Sequence, residues 1–191
     1  MWPWGHLAVA YLSYVAAVEL RDDSEQTLAT VSLLAIGSQF PDMVDKPLAW
    51  SLEVLPSGRS LAHSLFAAAA AGAVVVWIGR RWQREEAAFA FILGYITHVV
   101  SDIEPRLLVG VLQGDFTQLQ WGGYLLWPLY PPPPYPNDGS FAVVFASLEF
   151  DPYTIFQFVL FGFATVVWIA TGAAGLAELR RHVRRQLGRS V

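Results

Sequence analysis

The chain has 191 residues, a length that corresponds to one domain, and a formal net charge of −4 at pH 7. Hydrophobic residues make up 54% of it and charged residues only 15%, against about a quarter charged in soluble domains. This composition favours a membrane protein, and the mild acidity argues against a nucleic-acid partner. The lack of cysteine excludes disulfides, thiolate metal sites and cysteine nucleophiles.

Five apolar stretches predict helices separated by polar or proline-containing segments. The polar run RDDSEQ ends the first helix, and the second is expected to stop at Pro41. The first residues, MWPWGHLAVAYL, lack the basic region and cleavage motif of a secretory signal peptide, so we expect no cleaved leader. The predicted helices run from about Gly5 to Leu20, Thr27 to Phe40, His63 to Gly79, Ala87 to Ile103, and Tyr153 to about Leu179.

The lengths of these stretches limit how many can cross a membrane. A transmembrane helix needs about 20 apolar residues, with a lower limit of about 17. Only the fifth stretch meets this easily; the third and fourth are near the limit, and the first two are too short unless a bundle buries them. We predict an all-α, membrane-associated bundle of about five helices, forming a single domain over residues 1–191. A compact helical cluster that only partly enters the membrane is the alternative.

The basic residues predict the orientation of a five-span chain, because cytoplasmic segments carry the excess of Lys and Arg. One side would hold nine basic residues and the other three. The C-terminus, with the basic tail 180–191, is therefore predicted to be cytoplasmic and the N-terminus outside. The nine are Arg21, Arg80, Arg81, Arg84, Arg180, Arg181, Arg184, Arg185 and Arg189, and the three are Lys46, Arg59 and Arg106.

Ionisable residues then gather at one face of the predicted bundle. In the stretch GYITHVVSDI, His98 and Asp102 are four apart and share one face of a helix, where imidazole and carboxylate are both good ligands for Zn²⁺. Taken alone, two residues with this spacing are more simply explained by a hydrogen bond between their side chains at a helix end. The same extracytoplasmic face, however, also receives other groups, and ionisable residues beside membrane helices are costly and usually functional. These are His6, Asp42, Asp45, Arg59 and His63.

This convergence predicts a metal site, although some of the residues could instead cap helices or pair with one another. Asp42 and Asp45 could bridge two metal ions or act as a general base. Arg59 could bind an anionic oxygen, because its guanidinium matches phosphate geometry. The sequence thus predicts catalytic roles for these three residues in hydrolysis by metal-activated water.

The motifs WGHLAVAYL, GSQFPDMVD, GRSLAHSLF, GYITHVVSDI and GGYLLWPLY follow one another in an order that resembles the membrane-bound metal-dependent hydrolase family, the YdjM-like proteins. The resemblance covers about residues 3–130. It implies metal ligands at His6, Asp42, His63, His98 and Asp102, with Asp45 and Arg59 near the site. One departure is Gly58, which stands where many members have a histidine before the arginine.

The layout is also similar to a more distant family, the zinc-dependent phospholipases C, whose fold is all-helical and whose arrangement of helices is expected here. Those enzymes have a further H-x-x-x-E pair and use their N-terminal amine as a ligand. After Asp102 this chain has only His182, in the basic tail. The resemblance therefore implies one or two divalent ions, most simply zinc, rather than three.

The segment 104–152 is predicted to be a long extracytoplasmic loop. Its four consecutive prolines, Pro131 to Pro134, favour an extended path, and its many Trp and Tyr residues suit the membrane surface. The loop could be a lid facing the substrate or an aromatic belt without that role. Glu104, Asp115 and Asp138 lie in it and could complete a metal shell.

These observations predict a multi-pass cell-membrane protein with membrane lipid as its surroundings and its site on the extracytoplasmic face. The expected function is metal-dependent hydrolysis of phosphoesters, such as phospholipid head groups. The alternative is a non-catalytic membrane protein that binds a metal or a protein partner. The clustering of the ligands at one face disfavours a transporter, which would place such residues at several depths.

Overall fold

The computed structural model describes residues 1–20, 26–133, 140–176 and 178, and every regular element within them is helical. The all-α prediction is confirmed there, but the expected number of about five helices is too low. A π-helical turn, Pro47–Ser51, continues α2, and a 3-10 helix, Phe116–Leu126, follows α5. The seven α-helices of the described residues are α1 (Pro3–Glu19), α2 (Leu28–Lys46), α3 (Leu65–Arg81), α4 (Glu85–Ser101), α5 (Pro105–Gln113), α6 (Phe141–Ala146) and α7 (Pro152–Ala170).

The second helix does not stop at Pro41, as its sequence predicts, but continues through that residue to Lys46. Proline removes one backbone hydrogen bond, which usually ends a helix. Here Pro41 is buried, and the long packing of α2 along α4 supports the helix on both sides of it. As a result Asp42 and Asp45 lie on a helix, one turn apart, and not in a loop.

Two glycines bring α2 and α4 into backbone contact. A Cβ atom on Gly94 would lie 2.4 Å from the Leu34 carbonyl oxygen, and one on Gly37 would lie 2.2 Å from the Phe91 carbonyl oxygen. Because the obstructing atoms belong to the backbone, a side chain at either position would force the helices apart. This contact fixes the distance between the two helices that carry most of the polar residues.

The segment 104–152 contains helices that its prolines did not suggest. Pro105 stands at the start of α5, where a missing N–H costs nothing, and Gly114 ends it with a φ of 77°. The 3-10 helix then packs back on α5, with Gly110 against Gln118. Residues 134–139 lie outside the described residues, so Pro134 and Asp138 are not placed, and neither is the predicted tail 180–191.

The apolar helix α7 is the single candidate for a membrane span among the described helices taken one by one. The mean hydropathy of its apolar stretch is 1.8, and only 17% of that stretch is buried against the rest of the protein. It ends at Ala170, earlier than predicted, and the chain turns at Gly172 with a φ of 95°. Taken together, the helices α4 and α5, which are bent by 63° at their junction, are also long and apolar enough to cross a membrane.

We expect Gly94→Ala to destabilise the bundle by about 1–3 kcal/mol, because overpacking against a backbone cannot be relieved by a rotamer change. The measurement is the melting temperature of the purified protein in detergent. The matched control is Gly72→Ala on α3, where a new Cβ would meet nothing within 4 Å. Equal melting temperatures for the two variants would contradict the proposed contact.

Candidate metal centre

Four buried side chains from three parts of the chain meet at one point. Within the described residues, Asp42, His63, His98 and Asp102 each offer a ligand atom, and these atoms all lie within 4.8 Å of one another. The two histidines have no exposed surface, and the aspartates are 6% and 5% exposed. The structure thus brings together four of the five residues proposed as ligands, and places the fifth, His6, beside them.

The Nδ1 atoms of two histidines are tied to fixed acceptors. His98 Nδ1 lies 2.6 Å from the carbonyl oxygen of Ser38, which can only accept, so this nitrogen carries the proton and donates it. His63 Nδ1 lies 2.8 Å from the carboxylate of Asp45 and donates in the same way. In the neutral imidazoles, therefore, each Nε2 carries a lone pair that is directed into the cluster.

The hydrogen bonds of His6 assign it the same tautomer. Ser101 donates its hydroxyl hydrogen to the His98 carbonyl oxygen at 3.0 Å, and so it accepts from His6 Nδ1 at 2.9 Å. The His6 ring stacks on His98 with centroids 3.7 Å apart. Its Nε2 lies 3.2 Å from Asp102 Oδ1, although the two atoms lack hydrogen-bond alignment. Three imidazoles thus present Nε2 to one region.

The spacing of the ligand atoms fits a small divalent cation. His63 Nε2 and His98 Nε2 are 3.2 Å apart, and two nitrogens bound tetrahedrally to zinc at about 2.0–2.1 Å would be about 3.3 Å apart. Asp42 Oδ1 lies 3.7 Å from each of these nitrogens. It is buried and has no hydrogen-bond partner among the described residues. An unpaired buried oxygen facing two imidazole nitrogens is costly unless a cation joins them.

A proton on His63 is the competing occupant of this space. Burial lowers the pKa of His63, but the nearby carboxylates of Asp102 and Asp45 outweigh that effect, so its pKa lies above the ordinary value. A protonated Nε2 would point at His98 across the gap where the ligand atoms converge. Binding of a metal ion must therefore displace this proton.

Asp45 lies behind His63, away from the centre of the cluster. It is fully buried, and its oxygens accept hydrogen bonds from the backbone N–H groups of Ser60, Ala62 and His63 at 2.8, 2.8 and 3.2 Å, in addition to the His63 ring. These bonds fold the segment before α3 and orient the imidazole. From this position Asp45 holds the His63 imidazole in place; its predicted catalytic role stays a prediction.

Basic groups pair with both aspartates of the cluster. Lys46 Nζ lies 2.5 Å from Asp42 Oδ2, one helical turn away, and Arg59 Nε lies 2.9 Å from Asp102 Oδ2. The amino group of Met1 lies 2.6 Å from Asp102 Oδ1. Asp42 is therefore paired through one oxygen only, whereas both oxygens of Asp102 have basic partners, and its Oδ2 also lies 3.6 Å from His63 Nε2.

The acidic residues of the predicted loop lie outside this cluster. Glu104 is 3.8 Å from Arg59, so it faces the guanidinium and not the ligand atoms. Asp115 is exposed and caps the 3-10 helix through Thr117. Gly58 packs beside the Trp50 ring, where an added Cβ would lie 3.1 Å from the indole nitrogen.

Sequence reasoning missed three residues that position the cluster. Ser38 acts through its backbone carbonyl, which leaves no side-chain signal. Ser101 stands directly before Asp102 and could have been noticed there. Gln157 is the one amide in the apolar helix α7; it is fully buried and accepts from the Trp2 backbone N–H at 2.7 Å, which ties α7 to the start of the helix that carries His6. A polar residue in such a helix is itself a signal.

Comparisons with known proteins identify a family by sequence. The family model described as YdjM inner membrane protein matches residues 1–179. No curated protein and no solved structure matches the chain.

We expect the purified protein to hold close to one divalent ion per chain, because the four ligand groups converge on one point. His63→Ala and His98→Ala should each remove most of the bound ion, measured by elemental analysis after chelation and reloading with zinc. Asp115→Asn, which alters an exposed carboxylate, is the control and should bind as the unmodified protein does. Equal metal content in all of these proteins would contradict the site.

Asp45→Asn should weaken zinc binding by about 10–100-fold, as is typical when the partner of a ligating histidine is changed. The substitution keeps the size of the side chain and every metal ligand, but it replaces a carboxylate that orients His63. Affinity is measured by competition with a zinc chelator of known strength. A variant that binds zinc as tightly as the unmodified protein would show that Asp45 has only a folding role.

Proposed function

The chain belongs to the YdjM inner membrane protein family, and on that premise we propose that it is a membrane-bound metal-dependent hydrolase. The proposed substrates are phosphoesters such as phospholipid head groups. The observation that carries the proposal is the common orientation of the imidazoles of His6, His63 and His98, each held through Nδ1. All three Nε2 atoms lie near Asp102, and those of His63 and His98 also lie near Asp42. Histidine and carboxylate ligands arranged in this way are typical of catalytic zinc sites.

The ligand set favours zinc, with His63, His98, Asp42 and Asp102 as its ligands. A bound divalent cation would supply a water molecule of lowered pKa and would polarise the phosphoryl oxygen. His6, next to Asp102, would be available to a second ion, so one ion or two are both compatible with the arrangement.

The remaining roles follow from which residues reach open space. A cavity of about 420 Å³ adjoins the cluster, and both Asp42 and Arg59 line it. We assign Asp42 to the ion itself, through its inward oxygen, which has no hydrogen-bond partner among the described residues. Arg59 would bind a phosphoryl oxygen through guanidinium nitrogens other than Nε, which Asp102 occupies. Asp45 would orient His63.

We further propose that the site faces the extracytoplasmic side of a multi-pass protein. The support is the distribution of basic residues along the sequence, nine on the proposed cytoplasmic side against three on the other. The three include Lys46 and Arg59, which lie at the cluster itself. A site on this side would meet the head groups of the outer leaflet of the inner membrane.

A non-catalytic role is the second candidate, and Gly58 favours it. By the resemblance drawn from the sequence motifs, the glycine stands where many family members have a histidine; here it packs against Trp50 and offers no ligand. A protein of this kind would bind metal, through the same four ligands, and a partner, but would turn over no ester.

We expect the zinc-loaded protein to hydrolyse p-nitrophenyl phosphate or bis-p-nitrophenyl phosphate, with activity that is lost with EDTA and restored by zinc. Arg59→Gln should lower kcat/KM by at least about tenfold, because a charged hydrogen bond to the phosphoryl group contributes about 1.5–3 kcal/mol. Arg81→Gln, an exposed change at the end of α3, is the control. Bound zinc without turnover of either ester or of a phospholipid would support the non-catalytic role instead.

A further inference from the structure

The cavity beside the metal cluster is lined by groups of two kinds. Lys46 and Arg59 are basic, next to Asp42, and Phe141 and Phe145 are apolar; Trp50 contacts both kinds, since Lys46 lies over its ring and Phe141 packs on it. A ligand that fills it must therefore combine a negatively charged group with an apolar one.

The basic part of the wall offers donors to an anion. Lys46 pairs with Asp42, and Arg59 pairs with Asp102 and lies 3.8 Å from Glu104; their side chains are 19% and 25% exposed. Ammonium and guanidinium groups have three and five N–H donors, which an anion can share with these carboxylates. An anion placed between them would lie beside Asp42, at the edge of the metal cluster. Two positive groups at this point also disfavour a cationic ligand.

The apolar part of the wall is built by the short helix α6. Phe141 packs against Trp50 with ring centroids 5.3 Å apart, and Phe145 packs against Trp2 at 5.6 Å. The two phenylalanines remain 44% and 50% exposed. Aromatic side chains that are half-covered by their neighbours can still gain contact with a hydrocarbon chain and bury more apolar surface.

A continuous run of rings joins this wall to the helix proposed to span the membrane. Trp2, which contacts Phe145, stacks on Trp4 at 5.1 Å, and Trp4 stacks on Phe158 of α7 at 4.7 Å. Phe158 is itself 39% exposed. These ring contacts therefore connect the cavity to the exposed face of α7. A hydrocarbon chain of a lipid could enter the cavity along them.

We propose that the cavity binds an anionic amphiphile, with its phosphoester group between Lys46 and Arg59 and its hydrocarbon chain against Phe141 and Phe145. The proposal rests on the proposed function for the fate of the ester, but binding itself needs no turnover. It assigns recognition of the hydrocarbon chain to α6 and recognition of the charged head group to Lys46 and Arg59. A water-soluble phosphoester would use only the basic part of the wall and would bind more weakly.

Photocrosslinking tests this placement without any enzymatic assay. The zinc-loaded protein in dodecyl maltoside is irradiated with dodecyl phosphate that carries a diazirine at the end of its chain, and the labelled residues are mapped by mass spectrometry. Labelling should concentrate on 141–145, Trp2 and Trp50. It should fall at least fivefold with Lys46→Gln and stay unchanged with Arg81→Gln. Labelling confined to the exposed apolar faces of α3 and α7 would overturn the proposal.

A second probe separates charge recognition from simple hydrophobic binding. Dodecyltrimethylammonium with the same diazirine has the same chain and the opposite charge. It should label the α6 segment at least fivefold less than the phosphate probe. Equal labelling by the two probes would show that the cavity binds a hydrocarbon chain whatever the charge of its head group. The proposed role of Lys46 and Arg59 in binding the phosphate would then fail.

Kinetics distinguish this inference from the function on which it rests. Phe145→Ala should raise KM for dodecyl phosphate by at least fivefold and leave KM for p-nitrophenyl phosphate unchanged, while Phe66→Ala on the exposed face of α3 changes neither. Equal KM values for Phe145→Ala and the unmodified protein would overturn the chain site. If no ester is hydrolysed but the phosphate probe still labels 141–145, the hydrolase proposal fails and the binding site stands.

Discussion

The close approach of α2 and α4 sets the geometry on which the ligand cluster depends. Gly37 and Gly94 let the two backbones touch, and this contact brings the Ser38 carbonyl within 2.6 Å of His98 Nδ1. The same carbonyl fixes the tautomer of the imidazole and the direction of its Nε2. Because Asp42 lies one turn beyond Ser38 on α2, its carboxylate reaches the region that this nitrogen faces. A wider separation would lose the hydrogen bond and the convergence together.

The burial of so many ionisable groups is tolerated because most of their polar atoms are paired. Asp45 accepts from three backbone N–H groups and a ring, one oxygen of Asp42 pairs with Lys46, and both oxygens of Asp102 have basic partners. The inward Asp42 Oδ1 and His6 Nε2 are the exceptions at the centre. Unpaired buried atoms normally cost about 1–3 kcal/mol each. Their concentration at the point where the other ligands also converge distinguishes this cluster from an ordinary network of buried hydrogen bonds.

Much of the cluster could be predicted from residue types and spacing. The pair His98 and Asp102 is local, and helical periodicity alone places both side chains on one face. The contributions of Asp45 and Ser38 could not be predicted, because they depend on how the segment before α3 and the helix α2 pack. Pro41 shows the same limit in the fold: its local preference to end a helix is overridden by packing against α4, and that moves Asp42 and Asp45 from a loop to a helix.

The missed helix α5 has a different cause, since its signals are local. Pro105 at the first position and Gly114 after the last are ordinary marks of a helix start and end, but the run of prolines further along led to the prediction of one extended loop. The consequence reaches the site. The short break between α4 and α5 leaves Asp102 at the end of α4, and the 3-10 helix that packs on α5 places the Tyr124 hydroxyl 3.2 Å from the Asp102 carbonyl oxygen.

The apolar helix α7 bears on the metal cluster although it supplies none of the ligands. Its buried Gln157 holds the Trp2 backbone N–H, and the space above Gly5 is filled by the same amide, since a Cβ on Gly5 would lie 2.5 Å from Oε1. These contacts fix the first turn of α1, in which His6 is packed on the ring of His98. The helix with the strongest membrane character is therefore tied through one polar side chain to a histidine of the site. Gln157 therefore helps to position His6 from a helix that contributes no ligand.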